Sequence, residues 1–345
     1  MRVLVTGGAG YIGSQTVRLL LRRGHLPIVV DTLEHGHREA VGDAPLVVGS
    51  IADRSLVREV ISSHAVEAVV HFAALKAAGE SMLDPARYLD RNVGDTLALL
   101  AEVDHARIGP FVYSSSAAVY GEPERSPVAE DAATRPANPY GESKLLVERA
   151  LPWYEGRGLR HAILRYFNAA GAEPDGSHGE DADDATNLVP LVVRAAVRGD
   201  PPVTIFGTDY PTPDGTAIRD YVHVADLAEA HVRALEHLAS GGRSLTLNLG
   251  TGRGSSVRDV IAAVERAAGR AVPVIEARRR PGDPTAIWAD AGRAADLLGW
   301  RAREGLDEIA RSAVSWQRSH PDGYASRAEP GGQPGTVGGL VDGAA

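Results

Sequence analysis

The sequence predicts an α/β fold: a doubly wound parallel sheet with a smaller α/β substrate-binding domain at its carboxyl edge. In the first half of the chain, short apolar runs alternate with amphipathic stretches. Strands that alternate with helices form parallel sheets covered on both faces. From about residue 172 the pattern changes, because a polar, acidic segment precedes helices that mix with short strands. This change predicts the second domain.

Apolar runs predict six strands, and amphipathic periodicity predicts three helices between them. The strands are expected at 2–6, 26–31, 44–49, 66–72, 109–115 and 160–167, and the helices at 12–23, 53–63 and 86–106. Beyond residue 172 we expect helices near 187–199 and 224–239, with strands near 203–206 and 245–249.

These elements divide the chain into two domains and a tail. We assign 1–171 to the first domain, with a later return near 219–250, and 172–324 mainly to the second. The segment 325–345 is rich in Gly, Pro and Ala, a composition typical of disorder.

Composition limits the partners. The 345 residues carry 36 basic and 45 acidic side chains, a formal charge of −9, which argues against nucleic acid or a membrane surface as a partner. The chain contains no cysteine, so disulfides and thiolate chemistry are excluded, and we assign no metal ligands. With no apolar run long enough to span a bilayer and no basic leader, we expect a cytoplasmic protein.

A glycine-rich loop predicts a dinucleotide site of the Rossmann type. "TGGAGYIG" (6–13) follows the first strand and opens a helix, with Gly7, Gly10 and Gly13 three residues apart. Glycines let backbone N–H groups approach a pyrophosphate at a helix N-terminus. Asp31 ends the second strand eighteen residues after Gly13, and a carboxylate there accepts from the adenosine ribose and repels a 2′-phosphate. The loop and Asp31 therefore favour NAD over NADP.

A tyrosine and a lysine one helical turn apart predict proton transfer. In "NPYGESK" (138–144), Asn138 and Pro139 favour a helix start, and Tyr140 and Lys144 share one face. Of the 36 basic residues only Lys76 and Lys144 are lysines, which indicates two places that need a compact ammonium. A tyrosine base at neutral pH needs its pKa lowered by roughly 3 units, and we expect a neighbouring ammonium and a positive nicotinamide to contribute.

A serine lies where ligands bind in such a sheet. "YSSSAAVYG" (113–121) stands at the carboxyl end of a predicted strand. Ser116 is placed there to hydrogen-bond a reacting hydroxyl.

Taken together, the motifs resemble those of the extended short-chain dehydrogenases/reductases, most closely the UDP-glucose 4-epimerase (UDP-galactose 4-epimerase) type. The resemblance covers residues 1 to about 324. It rests on "TGGAGYIGS", "HFAALKAAGES", "YSSSAAVYGE", "NPYGESK", "LRYFNAAGA", "IFGTDYPTPDGTAIRDYVHV" and "RRPGD".

The resemblance implies functions for individual residues. Tyr140, Lys144 and Ser116 would be catalytic. Besides Tyr140 and Lys144, NAD contacts are implied for Gly7, Gly10, Tyr11, Ile12, Gly13, Asp31, Thr32, Ser50, Ile51, Phe72, Ala73, Ala74, Lys76, Asn92 and Phe167. UDP-sugar contacts are implied for Ser116, Asn168, Asn187, Leu188, Thr204, Ile205, Phe206, Arg219, Tyr221, Arg280, Asp283 and Ile287.

The family's reaction is a redox loop on a UDP-sugar. Tyr140 would take the 4-hydroxyl proton while C4 passes hydride to NAD, and the 4-keto sugar would turn its other face before hydride returns. NAD would stay tightly bound, since each cycle regenerates it. The resemblance also implies a homodimer.

Three positions depart from the family pattern. Ser50 stands where an aspartate commonly faces the adenine, and Thr32 replaces a frequent asparagine. Ile287 replaces a tyrosine that restricts some members to hexoses without a 2-acetamido group. The 4-epimerisation of an N-acetylated hexose, pentose or uronic acid therefore stays open.

Two other functions fit the sequence less well. A nucleotide-sugar dehydratase needs an acid/base pair where this chain has Ala117 and Ala118, which argues against elimination. A non-catalytic NAD-binding regulator would not need Tyr140, Lys144 and Ser116 together.

Overall fold

The computed structural model describes residues 1–181, 186–280 and 282–324. Its strands are β1 (Arg2–Thr6), β2 (Leu26–Asp31), β3 (Leu46–Val48), β4 (Ala68–His71), β5 (Pro110–Ser116), β6 (Arg160–Tyr166), β7 (Asn168–Ala170), β8 (Val203–Phe206), β9 (Ile218–Arg219), β10 (Tyr221–His223), β11 (Leu245–Leu249), β12 (Ser255–Ser256), β13 (Val274–Ala277) and β14 (Ala286–Ile287). Its α-helices are α1 (Tyr11–Arg22), α2 (Arg38–Val41), α3 (Arg54–Ser63), α4 (Ala78–Leu83), α5 (Pro85–Leu89), α6 (Asp95–His105), α7 (Pro139–Ala150), α8 (Leu188–Val197), α9 (Val224–Ala239), α10 (Val257–Ala268), α11 (Gly292–Leu298) and α12 (Leu306–Ser319).

The central sheet has seven parallel strands in the order β11-β6-β5-β4-β1-β2-β3. This confirms the predicted doubly wound parallel sheet. The chain winds outward from β1 in both directions, through β2 to one edge and through β4 to the other. Such a reversal opens a crevice at the carboxyl ends of the strands, where α/β proteins bind ligands.

Helices cover both faces of this sheet, because its strands are apolar on both sides. One layer packs α1 and α9 against the sheet, with Val17 and Leu235 in its core. The other layer packs α3, α6 and α7, with Val57, Leu99 and Val147 in its core.

Beyond β7, the chain builds a smaller body on three helices and short strand pairs. Its core joins α8, α10 and α12 through Val192, Val264 and Val314. The small sheets are β8–β13, β12–β9–β14 and β7–β10. The stretch 224–249 leaves this body, since α9 packs on the main sheet and β11 pairs with β6. The domain boundaries themselves stay a prediction.

Several elements differ from their sequence prediction. The helix expected over 86–106 is divided into α5 and α6 by a π-helical turn, Asp90–Gly94. The turn carries Asn92, which hydrogen-bonds the Leu75 backbone through both its amide atoms. β3 is also shorter than the predicted 44–49. The expected disordered tail, 325–345, lies outside the described residues.

Among the residues described, no helix combines the length and the apolar character that crossing a bilayer requires.

Candidate active site

The loop after β1 forms a close-packed turn that only glycine can build. Gly7 has a positive φ of 69°, and a Cβ on it would lie 2.5 Å from the Ala73 nitrogen. A Cβ on Gly13 would lie 2.2 Å from the Gly7 oxygen. α1 starts at Tyr11 after Gly10, and no side chain in the described part of the chain caps it. Its first-turn N–H groups and positive dipole end therefore suit the pyrophosphate of a dinucleotide.

The end of β2 supplies the carboxylate expected beside a ribose. Asp31 accepts hydrogen bonds from the Ala9 and Leu33 nitrogens, both at 2.9 Å, which fixes it against the glycine loop. Burial raises the pKa of Asp31, while these two backbone hydrogen bonds oppose the shift. Thr32 follows Asp31 at the same strand end.

The end of β3 lies next to this carboxylate, as the adenine side of the site requires. The Gly49 nitrogen donates to the backbone carbonyl oxygen of Asp31, which brings Ser50 and Ile51 close to Asp31. The Ser50 hydroxyl accepts from the Ala52 nitrogen at 3.1 Å, and Ile51 is buried. These residues and the loop fit an adenosine diphosphate moiety.

The chain after β4 forms the next part of the crevice wall. The Phe72 and Ala73 nitrogens both donate to the Thr6 oxygen, which holds this stretch against the glycine turn. Ala74 continues it toward Lys76, whose ammonium lies 3.0 Å from Glu180. Asn92 is buried beneath the stretch and also donates to Ser143 of α7.

Tyr140, Lys144 and Ser116 meet at the ends of β5 and α7. Asn138 caps α7 by accepting from the Gly141 nitrogen at 2.8 Å, and Pro139 occupies its first turn, as the sequence predicts. Lys144 donates to the Ser114 oxygen at 2.9 Å, so the helix is joined to β5. Ser116 ends β5, and its hydroxyl accepts from the Ala118 nitrogen.

Burial dominates the electrostatics of this pair. Desolvation lowers the pKa of Lys144 to about 7, and the charge of Glu148 opposes that shift. Desolvation is the largest cause that raises the pKa of Tyr140, and the nearby Tyr166 raises it further, whereas a hydrogen bond with Ser116 lowers it. The protein groups around Tyr140 therefore do not produce the expected lowering of its pKa. Removing a phenolate from water costs more free energy than the hydrogen bond with Ser116 recovers.

The remaining predicted residues line the opposite wall. Phe167 is buried after β6, and Asn168 of β7 pairs with Tyr221 of β10. Asn187 and Leu188 form the start of α8. Thr204, Ile205 and Phe206 lie on β8, where the Arg280 guanidinium stacks on the Phe206 ring at 3.7 Å.

β9 and β14 bring two further predicted residues side by side. Arg219 and Ile287 are paired across the parallel strands. The Arg219 guanidinium lies 3.8 Å from the Asp283 carboxylate, whose side chain is 42% exposed. Ile287 is buried among Ala117, Val119 and Phe167, so it closes the gap between the Ser116 turn and this wall.

Sequence reasoning missed Asp220, although it lies within a quoted motif. Its buried carboxylate accepts from the Thr251 nitrogen and hydroxyl and from the Gly252 and Ala289 nitrogens, at 2.6–3.2 Å. It thereby fixes the strands that carry Arg219 and Ile287. An aspartate beside an arginine in a short strand was the only sequence signal.

It also missed a loop, residues 171–181, that lies along α1. The Tyr11 hydroxyl donates to the Gly171 oxygen at 2.5 Å, and His178 lies 2.7 Å from the Ser14 hydroxyl. Tyr324, near the C-terminus, lies 2.5 Å from the other His178 ring nitrogen. Nothing local in the sequence indicates these contacts, which join residues more than 140 positions apart.

Known proteins with this architecture are numerous. The model of the NAD dependent epimerase/dehydratase family matches residues 3–250. A UDP-glucose 4-epimerase of Azospirillum brasilense is 48% identical over 334 residues, which cover 96% of each chain. A crystal structure of the Stenotrophomonas maltophila UDP-glucose-4-epimerase, with bound NAD and formylated UDP-arabinopyranose, is 44% identical with a TM-score of 0.90, covering 93% of this chain and 99% of that one. The Brucella ovis UDP-glucose 4-epimerase in complex with NAD is 47% identical with a TM-score of 0.88, covering 91% and 97%.

Proposed function

Because the chain belongs to the NAD dependent epimerase/dehydratase family, we propose that it is an NAD-dependent isomerase that interconverts UDP-glucose and UDP-galactose at C4. The observation that carries this proposal is the buried group of Tyr140, Lys144 and Ser116 beside the glycine loop. The relatives reported above, matched over nearly their full length, are UDP-glucose 4-epimerases.

NAD fits the first wall of the crevice. The glycine turn and α1 would hold its pyrophosphate, Asp31 its adenosine ribose, and Lys144 the ribose of the nicotinamide. When bound, NAD supplies a hydride acceptor and donor for C4 of the sugar. We propose that it stays bound through the cycle, and that the loop 171–181 contributes by fixing Tyr11 and Ser14.

Tyr140 would exchange the proton of the sugar's 4-hydroxyl. The Ser116 hydroxyl, which already interacts with Tyr140, would hold that oxygen in place. Since burial disfavours the phenolate, we propose that two positive charges lower the pKa of Tyr140 during the reaction: the protonated form of Lys144 and the oxidised nicotinamide. Ala117 and Ala118, next to Ser116, carry no group that could expel a 6-hydroxyl, so elimination is not supported.

The second wall would hold the nucleotide and let the sugar turn. Arg219 and Arg280 can clamp a diphosphate with forked donors, and Asp283 can accept from ribose hydroxyls. Backbone groups of Thr204–Phe206 and the start of α8 at Asn187 would contact uridine. A diphosphate held this way would leave the 4-keto sugar free to present either face of C4 to the nicotinamide.

The accepted sugar depends on Ile287. Its side chain is buried at the predicted sugar pocket and is smaller than tyrosine, and this smaller size supports acceptance of a 2-acetamido group. The second candidate function is therefore 4-epimerisation of an N-acetylated UDP-hexose; pentose and uronic acid forms stay alternatives.

We also propose a homodimer. α6 and the turn after α7 expose Leu97 and Trp153, and Trp153 is 85% exposed. The family resemblance carries this proposal, and these exposed apolar side chains are available for contact with a second copy. The cytoplasmic location stays a prediction from the sequence.

The first experiment is to incubate the purified protein with UDP-galactose and, separately, with UDP-N-acetylgalactosamine, without added NAD. The 4-epimers are resolved by chromatography. Conversion of the first alone supports a hexose 4-epimerase that retains its cofactor, and conversion of both supports a dual-substrate enzyme. If neither reacts even after NAD is added, the proposed function is wrong.

A further inference from the structure

A buried acidic group lies two helical turns beyond Tyr140. Glu148 follows Lys144 by one turn on the same face of α7 and is 5% exposed. Its Oε1 atom accepts from the Ser115 hydroxyl at 2.5 Å. Both its carboxylate oxygens accept from the Arg165 guanidinium, at 2.6–3.1 Å. None of these three residues has a role in the reaction described above.

The contact with Ser115 matters because of where Ser115 stands on β5. Side chains alternate along a strand, so Phe111, Tyr113 and Ser115 face α7, whereas Val112 and Ser114 face the other way. Phe111 and Tyr113 do pack in the same core as Val147 of α7. Two bonds thus join the last residues of β5 to α7: Lys144 to the Ser114 oxygen and Ser115 to Glu148.

We propose that Ser115 and Glu148 are positioning residues, which hold the end of β5 in register with α7 and so set Ser116 against Tyr140. This inference rests on the proposed function. Ser116 is carried by β5 and Tyr140 by α7, so a slip between the two elements changes the geometry around the reacting hydroxyl. Misplacement on the ångström scale can cost a factor of about 100 in rate.

Arg165 makes the arrangement rigid. Its guanidinium is held on the far side by the Tyr120 hydroxyl, at 2.9 Å, and by the Glu130 oxygen, at 3.1 Å. A buried carboxylate with a bidentate partner has one orientation available, and so has the hydroxyl that donates to it.

The test compares three single variants and one double variant of the full-length protein with bound NAD. Ser115→Ala removes only the bond between Ser115 of β5 and Glu148 of α7 and leaves the Glu148–Arg165 ion pair intact. It is therefore the variant least prone to misfolding. Glu148→Gln keeps the shape of the side chain but replaces the carboxylate with a neutral amide, which weakens the bonds to Ser115 and Arg165. Tyr120→Phe removes the Arg165 bond to the Tyr120 hydroxyl and the bond from that hydroxyl to Asn248. It leaves the Ser115–Glu148 contact, the bidentate ion pair and the Arg165 bond to the Glu130 oxygen in place, so it is the matched control. The measurements are kcat and KM for UDP-galactose, together with the thermal unfolding midpoint.

We expect Ser115→Ala to lower kcat about 10-fold with KM unchanged, and Tyr120→Phe to leave kcat within about 2-fold. The double variant Ser115→Ala/Glu148→Gln should be no slower than Glu148→Gln alone, because both act through one contact. Wild-type kcat in Ser115→Ala, or a loss in the double variant equal to the product of the single losses, would overturn the inference. Failure of the proposed function is distinguishable, since the wild-type protein would then convert no UDP-sugar.

Discussion

The two walls of the crevice are built differently. Tyr140 and Lys144 are 8% and 3% exposed and lie between packed helices and the central sheet. Across the crevice, Arg219 and Asp283 are 3.8 Å apart, and Arg280 lies over Phe206 at the surface. Charges in the first wall act at low dielectric and are screened little, whereas in the second wall Asp283 and Arg280 are exposed to solvent and salt and Arg219 is partly buried. The wall that moves protons is therefore buried and electrostatically costly, and the wall that would hold a nucleotide presents more of its charge to solvent.

The largest effect should come from the buried wall. Tyr140→Phe removes the group that exchanges the proton, and general acid–base catalysis contributes roughly 10²- to 10⁴-fold. We expect kcat to fall about 1,000-fold and KM to change little, because the phenol makes only a small part of the binding surface. Steady-state assays with UDP-galactose measure both. Near-normal epimerisation by this variant would contradict the proposed role of Tyr140.

The same wall should show its cost in stability. Burial lowers the pKa of Lys144 to about 7, so a charged Lys144 destabilises the folded state below pH 7 by about 4 to 5 kcal/mol. This cost shrinks as the pH rises from 7 toward 10.5, because the folded protein has released the proton and the unfolded chain has not. Lys144→Met should thus raise the free energy of unfolding at pH 6 by about 3 kcal/mol after the lost bond to Ser114 is subtracted, and lower it by about 1 to 2 kcal/mol at pH 10.5, where only that lost bond counts.

Denaturant unfolding at the two pH values measures this difference. Lys76→Met is the matched control, since the Lys76 side chain is 55% exposed. An equal change at both pH values in Lys144→Met would show that the charge is not the cause.

The exposed wall should respond through binding alone. Arg280→Leu removes a guanidinium that would clamp the diphosphate, and we expect KM to rise about 10-fold with kcat within about 3-fold. The rise should become smaller at high ionic strength, because salt already screens the wild-type contact. Arg278→Leu, two residues away, is the control. A loss in kcat larger than the change in KM would place Arg280 in the chemical step instead.

The smallest expected effect concerns the loop 171–181, which lies along α1. Tyr324→Phe removes the hydroxyl that contacts His178 and donates to the Gly179 oxygen at 3.0 Å. A single neutral hydrogen bond contributes about 1 kcal/mol, so NAD should leave about 5-fold faster. The NAD content of the dialysed protein measures this without an activity assay. Unchanged retention, as expected for the control Tyr154→Phe, would separate the loop from the cofactor.

Much of the fold and part of the candidate site follow from the sequence. Short apolar runs and period-3.6 apolar patterns are local features of the sequence, so the strands of the central sheet and helices such as α9 were predicted within a few residues. The glycine spacing of the loop, the Asn138–Pro139 helix start and the Tyr140–Lys144 spacing are also local features, and backbone geometry alone relates them to structure. The π-helical turn at Asn92 was not predicted, because the long-range contact with Leu75 overrides the helical pattern.

Only the tertiary structure decided how these parts meet. The sequence predicts a return of the chain near 219–250 but not the strand that β11 joins. The pairing of β11 with β6, the bond between Ser115 and Glu148, the Asp220 contacts and the position of Tyr324 over His178 depend on chain crossings that no local pattern encodes. The direction of the Tyr140 and Lys144 pKa shifts belongs to the same class. Residue type supplies the titrating group, but its surroundings, which come from every part of the chain, determine how costly its charge is.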